Sequence, residues 1–354
     1  MASTKTSLAH YRLLGRSGLS VSPLALGTAG TFGTDGDVSR RIFDAYLAHG
    51  GNFIDTADIY GDGRAEERVG EFLRGRRDEV VIGTKYALGG KPGNPNSGGN
   101  SRRTMVRAVE ASLKRLGTDY IDIYYLHVWD GTTRPDEVMR GLDDLVRSGK
   151  VVYVGISDTP AWQVSRMQMM ADLRGWSPYV SLQIEYSLIQ RTVEREMIPM
   201  ARELDLGVTV WSPLGFGMLA GGYSRTDLQL VGKSDIGEPD TRRRGMNLQG
   251  RLSERIIDIA EELARVAGEL GVSSAQAGLA WVMSRPGVTS ILLGGRTWDQ
   301  FEDNLGALDV KLEAGHLATL DEISKVPLDW PYDVMSENSV QAALLTHSKT
   351  RLAR

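Results

Sequence analysis

The amino-acid sequence predicts a single (β/α)8 barrel, in which a closed parallel sheet is surrounded by helices. Eight short apolar runs recur along the 354 residues, and an amphipathic segment follows most of them. The runs lack strict alternation of apolar and polar residues, which is typical of strands buried on both faces of a parallel sheet. Regular strand–helix alternation in one chain indicates this barrel class. We expect one domain over residues 1–354, with a core at about 20–310 and a tail at 326–354.

The predicted strands follow one another at regular intervals. In chain order they are PLALGT from Pro23, NFIDT from Asn52, VVIGTK from Val80, IDIYYLH from Ile121, VYVGIS from Val152, VSLQIEY from Val180, GVTVWS from Gly207 and VTSILLGG from Val288. A doubly wound open sheet is the alternative architecture. It is disfavoured because no G-x-G-x-x-G motif follows any run, and the glycine-rich segment Leu214–Gly222 has a different spacing.

The segments between the runs carry helix signals. Asp37 is the expected N-cap of the first helix, and Ser101 is expected to start a later one that stops at Gly117. Pro135 falls in the first turn of the next helix, where proline is tolerated. The predicted helical segments are residues 37–50, 101–117, 134–150, 192–207 and 253–270.

Two further segments lie outside the strand–helix repeat. Residues 11–24 are expected to form a short hairpin that caps the bottom of the barrel. Residues 221–250 form a long polar loop after the seventh barrel strand, and loops of this length are commonly functional.

Composition excludes several classes of function. The net charge of −4 gives no sign of a nucleic-acid or membrane partner. With no cysteine and five scattered histidines, we expect no metal site and no thiol chemistry. The N-terminus lacks the apolar core of a signal peptide, and no stretch is apolar enough to span a bilayer, so we expect a cytoplasmic protein.

Polar residues end several runs at one level of the predicted barrel. Asp55 ends the second run, Lys85 the third and His127 the fourth, and Tyr60 follows five residues after Asp55. The carboxyl ends of the strands form the active face of such barrels. Each residue alone is more commonly structural, but a solvated rim does not need a tyrosine and a core does not need a lysine. Together they predict a catalytic group.

This group suits protonation of a carbonyl oxygen as it becomes an alkoxide. A lysine ammonium near a phenol lowers the phenol pKa from its usual value of about 10. An aspartate keeps that lysine charged and oriented, and a neutral histidine hydrogen-bonds the substrate oxygen. We expect Asp55 to position Lys85 and the following loop to deliver Tyr60.

Reduction of a carbonyl also needs a hydride, which standard side chains do not supply, so a nicotinamide is the natural donor. Trp211 offers a flat face for stacking on its ring. The glycine-rich segment after Trp211 suits a pyrophosphate, and Arg296 suits a 2′-phosphate. The residues expected to hydrogen-bond the carboxamide are Ser157, Asp158 and Gln183.

At these residues the sequence resembles the aldo-keto reductase family. The segments GNFIDTADIYGDGRAEERVG, VVIGTK, YYLH, GIS, SLQIEYSL, WSPLGFGMLAGGY and GGRTWDQFEDNLGAL fall in the expected order over roughly the first nine-tenths of the chain. GNPNSGGNSRRTM and HVWD are more similar to the aryl-alcohol dehydrogenase-like branch.

The resemblance implies an NADPH-dependent reductase of aldehydes or ketones, with aromatic or bulky apolar substrates expected. Its catalytic residues would be Asp55, Tyr60, Lys85 and His127, with Tyr60 as general acid. Its cofactor residues would be Gly27, Thr28, Asp55, Ser157, Asp158, Gln183, Trp211, Ser212, Pro213, Leu214, Gly217, Leu219, Gly294, Arg296, Gln300 and Asn304. The expected substrate pocket is lined by Phe32, Tyr86 and Trp129.

Two positions depart from the family pattern. Asp158 stands where an asparagine is usual, and a carboxylate accepts from a carboxamide NH2 but does not donate to its oxygen. Gly294 replaces a lysine that some branches use on the 2′-phosphate, which leaves Arg296 as the expected anion partner.

Two other functions stay open. One is an NADPH-binding regulatory or redox-sensing subunit with slow turnover, because the sequence also resembles the channel-associated beta subunits of the same superfamily. The other is lyase or isomerase chemistry with Lys85 as a Schiff-base amine. The expected partner is a small-molecule carbonyl or alcohol, and a homo-oligomer is left open.

Overall fold

The structure is a computed structural model that describes residues 7–232 and 250–337 together with Val340. Eight parallel strands close into a barrel, because the strands pair in sequence order and the last also pairs with the first. The predicted (β/α)8 barrel is therefore confirmed. The extent of the domain over residues 1–354 stays a prediction.

The barrel strands coincide with the eight apolar runs. A two-stranded hairpin of β1 (Arg12–Leu13) and β2 (Ser20–Val21) precedes them. The barrel strands are β3 (Leu24–Gly27), β4 (Phe53–Asp55), β5 (Val81–Tyr86), β6 (Ile121–Leu126), β7 (Val151–Ser157), β8 (Tyr179–Glu185), β9 (Gly207–Trp211) and β10 (Val288–Leu293).

Helices cover the outside of the barrel. They are α1 (Gly36–Ala48), α2 (Arg64–Phe72), α3 (Arg102–Leu116), α4 (Pro135–Arg147), α5 (Ala161–Arg174), α6 (Met197–Glu203), α7 (Glu254–Leu270), α8 (Ser274–Met283), α9 (Trp298–Leu305), α10 (Ala314–Ile323) and α11 (Tyr332–Ser336). Within the described ranges, none of them combines the length and the apolarity that crossing a bilayer requires.

Capping residues explain where helices begin. Ser101 and Pro135 stand at the starts of α3 and α4, as predicted. The prediction of Asp37 as the N-cap of α1 is wrong. The side chain of Asp35 accepts from the backbone N–H of Val38, and Asp35 has the extended backbone that an N-cap requires. Asp37 instead lies in the first turn, where its charge interacts favourably with the helix dipole.

The loop predicted after the seventh barrel strand is present. A short 3-10 turn, Gly215–Ala220, precedes it, and a second, Arg225–Leu230, lies near its start. Residues 233–249 of this loop, and residues 338–339 and 341–354 of the predicted tail, lie outside the described residues.

The N-terminal hairpin covers the bottom of the barrel, as predicted. Leu14, which follows β1, is fully buried in the lower interior. Gly15 has a φ of +56°, and a Cβ there would lie 2.5 Å from backbone atoms of Asp205, Gly207 and Val180. The hairpin turn therefore packs directly on the backbone at the starts of β8 and β9, where only glycine fits.

We expect Gly15→Ala to lower the free energy of unfolding by more than about 2 kcal/mol, because the methyl group overpacks this contact and strains the left-handed backbone. Gly18→Ala is the matched control, since a Cβ at Gly18 would meet no atom within 4 Å. Urea denaturation of the two variants measures the difference. Equal midpoints would show that the hairpin does not contribute through this contact.

Side-chain alternation along the strands separates two apolar clusters. Phe53, Val81, Ile123 and Tyr125 pack with Leu14 of the hairpin in one cluster, which fills the barrel interior. The intervening strand residues pack on the helices in a larger cluster. Because side chains alternate with period two, the polar residues two or four positions after these interior residues also face inward.

Candidate active site

Four side chains meet at the carboxyl end of the barrel. Lys85 Nζ lies 2.5 Å from Asp55 Oδ1 and 3.2 Å from the Tyr60 hydroxyl oxygen. It also donates to the Thr56 carbonyl oxygen at 2.8 Å. The rings of His127 and Tyr60 make an edge-on contact with 6.1 Å between centroids. The structure thus brings the four predicted catalytic residues together.

Lys85 and Asp55 form a buried ion pair, with side chains 0% and 1% exposed. The second carboxylate oxygen of Asp55, Oδ2, accepts from Gln183 Nε2 at 2.8 Å. Burial opposes the charged form of Lys85, but Asp55 and Tyr60 outweigh it, so the pKa of Lys85 is raised. Lys85 is therefore an ammonium, held by three acceptors.

The phenol of Tyr60 is protonated at neutral pH. Burial raises its pKa, and the nearby ammonium of Lys85 offsets only part of that effect. The expectation that Lys85 lowers the phenol pKa below its usual value is therefore wrong for this state, because loss of solvation is the larger effect. A protonated phenol beside an ammonium is nonetheless what proton donation requires.

His127 is neutral. Burial and the charge of Lys85 lower its pKa to about 3. Its backbone N–H donates to the Tyr86 carbonyl oxygen at 3.1 Å, which ties the segment after β6 to the end of β5. Its Nδ1 atom is buried and has no hydrogen-bond partner among the described residues. The ring can therefore act as a hydrogen-bonding group without carrying charge.

A glycine contact positions Tyr60. The chain turns at Tyr60–Gly63 after β4, and Gly61 has a φ of +58°. A Cβ on Gly61 would lie 2.7 Å from the Gly33 Cα atom. This close approach of two loops, which follow neighbouring strands, holds Tyr60 against Lys85.

A cavity of about 520 Å³ opens above these residues, a volume ordinary for a small-molecule site. Its wall includes Tyr60, His127 and Asp55 of the predicted catalytic group, and also Arg296 from the loop after β10. The predicted cofactor residues on its wall are Gly27, Asp55, Ser157, Asp158, Gln183, Trp211, Ser212, Pro213, Leu214, Gly217, Gly294, Arg296, Gln300 and Asn304. An elongated ligand can thus contact the catalytic group and the loop after β10 together.

Comparison with known proteins agrees with this geometry. Residues 23–325 match the sequence profile of the aldo/keto reductase family. The chain belongs to this family. The similarity to the aryl-alcohol dehydrogenase-like branch is also confirmed, and the chain is an oxidoreductase.

Three relatives illustrate the range of this similarity. An aryl-alcohol dehydrogenase [NADP(+)] of Phanerodontia chrysosporium is 35% identical, over 93% of this chain and 89% of the relative. A norsolorinic acid reductase of Aspergillus flavus is 34% identical, over 95% of this chain and 87% of the relative. A probable voltage-gated potassium channel subunit beta of Oryza sativa subsp. japonica is 36% identical, over 85% of this chain and 92% of the relative.

Two predicted cofactor residues of this aldo/keto reductase do not line the cavity. Thr28 is fully buried, and its hydroxyl donates to the Asp55 carbonyl oxygen at 3.0 Å. Leu219 is 1% exposed and packs in the apolar core. Both residues support the wall from behind, and their part in cofactor binding stays a prediction.

The three predicted substrate-pocket residues also lie outside the cavity wall, and their role stays a prediction. Phe32 is buried and packs edge-on against the ring of Phe72. Tyr86 stacks on Tyr124 at 5.2 Å, because it follows inward-facing Lys85 and therefore points outward. Trp129 packs against Trp162 of α5, and it too lies outside the cavity wall.

Asp158 has a defined partner in the structure. Its Oδ1 atom accepts from Trp211 Nε1 at 3.2 Å, which joins the ends of β7 and β9 across the cavity wall. The departure from asparagine therefore leaves an acceptor for the indole. Burial raises the pKa of Asp158, and the Trp211 bond and Lys85 act in the opposite direction.

The cavity wall around Gly217, Gly294 and Arg296 fits an anionic group. Cβ atoms at Gly217 and Gly294 would meet no atom within 4 Å, so both backbones are open for close approach. The Arg296 side chain is exposed, and its backbone N–H donates to Gln300 Oε1. The start of α9, capped by Thr297, adds the positive end of a helix.

Sequence reasoning missed part of the wall. The additional lining residues are Ala29, Gly30, Phe216, Ala220, Ser273, Ala275, Leu279, Leu292, Leu293, Gly295 and Asp303. The sequence does contain one signal for this part of the wall. Ser273 and Gln276 form a capping box, which marks the start of α8 beside the cavity. Ser273 and Gln276 also bond Asp303, an arrangement between distant segments that local sequence does not reveal.

Proposed function

We propose that the enzyme reduces an aldehyde or ketone to an alcohol with NADPH, and that Tyr60 is the general acid. The observation that carries the proposal is the placement of Lys85 Nζ within hydrogen-bond distance of both Asp55 and Tyr60 beside the cavity.

The chain's own residues handle the proton. Tyr60 donates its phenolic proton to the oxygen that develops negative charge, and Lys85 stabilises the phenolate left behind. Asp55 fixes Lys85, and Gln183 fixes Asp55 through its other oxygen. His127 remains neutral and hydrogen-bonds the substrate oxygen, which orients the carbonyl toward Tyr60.

Residues along the cavity would hold NADPH. Trp211 would contact the nicotinamide, the open backbone at Gly217 would face the pyrophosphate, and Arg296 would bind the 2′-phosphate. When bound, the cofactor supplies the hydride. The donor set fits the group because backbone N–H groups, an exposed arginine and a helix start lie along one cavity.

The substrate class that we propose is inferred from the names of two relatives. One is named for an aryl alcohol and another for norsolorinic acid. We propose aromatic or bulky apolar carbonyl compounds for this enzyme, with the aromatic rings of Trp211 and Phe216 as apolar parts of the wall. The cytoplasmic location and the oligomeric state stay predictions.

NADPH is expected to quench the intrinsic tryptophan fluorescence, because the nicotinamide would contact Trp211. Trp211→Phe should remove most of the quench. Trp330→Phe is the control, since Trp330 is 80% exposed and is not on the cavity wall. A quench that survives Trp211→Phe and disappears with Trp330→Phe would contradict this cofactor position.

Steady-state rates distinguish the proposal from its alternative. The similarity to a probable potassium channel subunit beta keeps a slow NADPH-binding regulatory role as the second candidate. A panel of aromatic and aliphatic aldehydes, each tested with NADPH and NADH, should give rapid turnover of aromatic members. Tight NADPH binding with no turnover across the panel would favour the regulatory role.

Schiff-base chemistry is disfavoured. Lys85 is 0% exposed, its Nζ atom is engaged by three oxygen acceptors, and its pKa is raised, whereas an amine nucleophile must be unprotonated and accessible. Borohydride in the presence of substrate is therefore expected to trap no adduct on Lys85.

A further inference from the structure

Asp158 places a carboxylate on the cavity wall beside the catalytic group. It directly follows inward-facing Ser157, and strand alternation alone would turn it away from the interior. Its backbone has a φ of +36°, however, which redirects the chain, and the residue lines the cavity. The hydrogen bond from Trp211 Nε1 orients the carboxylate toward the same wall.

The groups around Asp158 do not neutralise the negative charge of its carboxylate. Lys85 and Asp55 cancel each other, and Tyr60 and His127 are neutral. Among the described residues, no cationic side chain lies within ion-pair distance of Asp158. The part of the cavity around the catalytic group therefore carries a net negative charge.

Other charged groups that face Asp158 do not remove this imbalance. Glu185, at the end of β8, carries charge of the same sign as Asp158. Arg251 favours the ionised form of Glu185. Lys85 attracts the carboxylate from β5 but is already paired with Asp55. Burial raises the pKa of Asp158, while the bond from Trp211 and the charge of Lys85 favour its ionised form.

A carboxylate in this position distinguishes the two redox states of a nicotinamide. The reduced ring is neutral, whereas the oxidised ring carries a positive charge, so a nearby negative charge stabilises only the oxidised form. Both forms carry the same pyrophosphate and 2′-phosphate, so the distal contacts do not discriminate between them.

We propose that Asp158 selects the oxidised cofactor: its charge makes the enzyme bind NADP+ more tightly, relative to NADPH, than a neutral side chain would. This inference rests on the proposed NADPH-dependent function. It has a catalytic consequence, because the Asp158 charge would stabilise the positive charge of the oxidised cofactor and so favour the reductive reaction that the bound cofactor would supply. The proton still comes from Tyr60, so the products are the alcohol and NADP+.

The test compares the ratio Kd(NADP+)/Kd(NADPH) in the purified enzyme and its variants, measured by calorimetry. Asp158→Asn removes the charge but keeps an oxygen acceptor for Trp211 Nε1. We expect the ratio to rise by about fivefold in this variant, the effect of one unit charge about 4 Å away in water, because Asp158 is exposed to solvent. Asp158→Ser is a second neutral variant in case the first does not fold, with the same expected direction.

Two controls separate charge from shape and from distance. Asp158→Glu keeps the charge, so its ratio should stay near that of the unmodified enzyme. Glu185→Gln removes a like charge that lies outside the cavity wall, and its ratio should change much less than that of Asp158→Asn.

An unchanged ratio in the neutral variants would overturn the inference, and so would an equal rise in Asp158→Glu. Either result leaves the proposed function intact, because NADPH still binds. Failure of the unmodified enzyme to bind either cofactor would instead refute the proposed function, and the inference with it.

Discussion

Tyr60→Phe is expected to lower kcat for carbonyl reduction by about 10²- to 10⁴-fold, the usual contribution of a positioned general acid. Among the residues that the structure describes, this hydroxyl is the only proton donor that Lys85 contacts, and phenylalanine leaves the alkoxide without a proton source. NADPH affinity should stay nearly unchanged, because the proposed cofactor contacts lie on other residues. Single-turnover absorbance of NADPH and calorimetric binding measure the two quantities separately.

Tyr120→Phe is the matched control for this substitution. Tyr120 directly precedes β6, at the opposite end of the barrel from Tyr60, and does not line the cavity. Its kcat should equal that of the unmodified enzyme. Full turnover in Tyr60→Phe would remove Tyr60 from its proposed role and direct attention to another donor.

The raised pKa of Tyr60 determines over which pH range the proposed proton donor is available. The phenol stays protonated beyond its usual pKa of about 10, so the acid needed for reduction is present throughout the neutral and mildly alkaline range. In the proposed mechanism, alcohol oxidation would require the same group to lose its proton first, so the protonated phenol suits the proposed reduction. A positively charged cofactor ring bound nearby would shift this balance toward the phenolate.

Sequence alone predicted the barrel and the meeting of Asp55 with Lys85 because both depend on strands. Each apolar run became a strand, and every strand of a closed parallel barrel presents its carboxyl end at the same rim. Asp55 and Lys85 lie at interior positions of neighbouring strands, two and four residues after buried Phe53 and Val81. Their meeting therefore follows from register and alternation.

Some side chains lie away from the expected position because a place near a strand end does not decide which face of the sheet a side chain occupies. Tyr86 follows Lys85 and must point to the opposite face, where it packs on Tyr124. Asp158 is the converse case, since a positive φ turns a residue of the outward-facing set toward the cavity. A single backbone angle of this kind leaves no clear signal in the sequence.

Contacts between distant loops were also beyond prediction. The approach of Gly61 to Gly33 positions Tyr60, but in the sequence each glycine by itself indicates only a turn. The Gln183 bond to Asp55 is similar, because it joins strands four places apart around the barrel. Such pairs become visible only when the barrel has closed.

Lys85→Met is expected to lower the free energy of unfolding by about 3–5 kcal/mol, because it leaves the Asp55 carboxylate buried without its cation. Gln183 alone would remain as a hydrogen-bond donor to Asp55, and a neutral amide does not replace an ammonium. The double variant Asp55→Asn/Lys85→Met should recover most of the loss, since no unpaired charge stays buried. Urea denaturation at pH 7 measures all three proteins.

Lys150→Met provides the matched surface control, since Lys150 pairs with Glu110 and both side chains are substantially exposed. Its effect should be below about 1 kcal/mol, because water screens an exposed pair and the side chains lose entropy in forming it. If Lys85→Met were no more destabilising than Lys150→Met, the desolvation cost of Lys85 would cancel its attraction to Asp55. The buried pair would then serve orientation of Tyr60 alone, and the double variant would show no recovery.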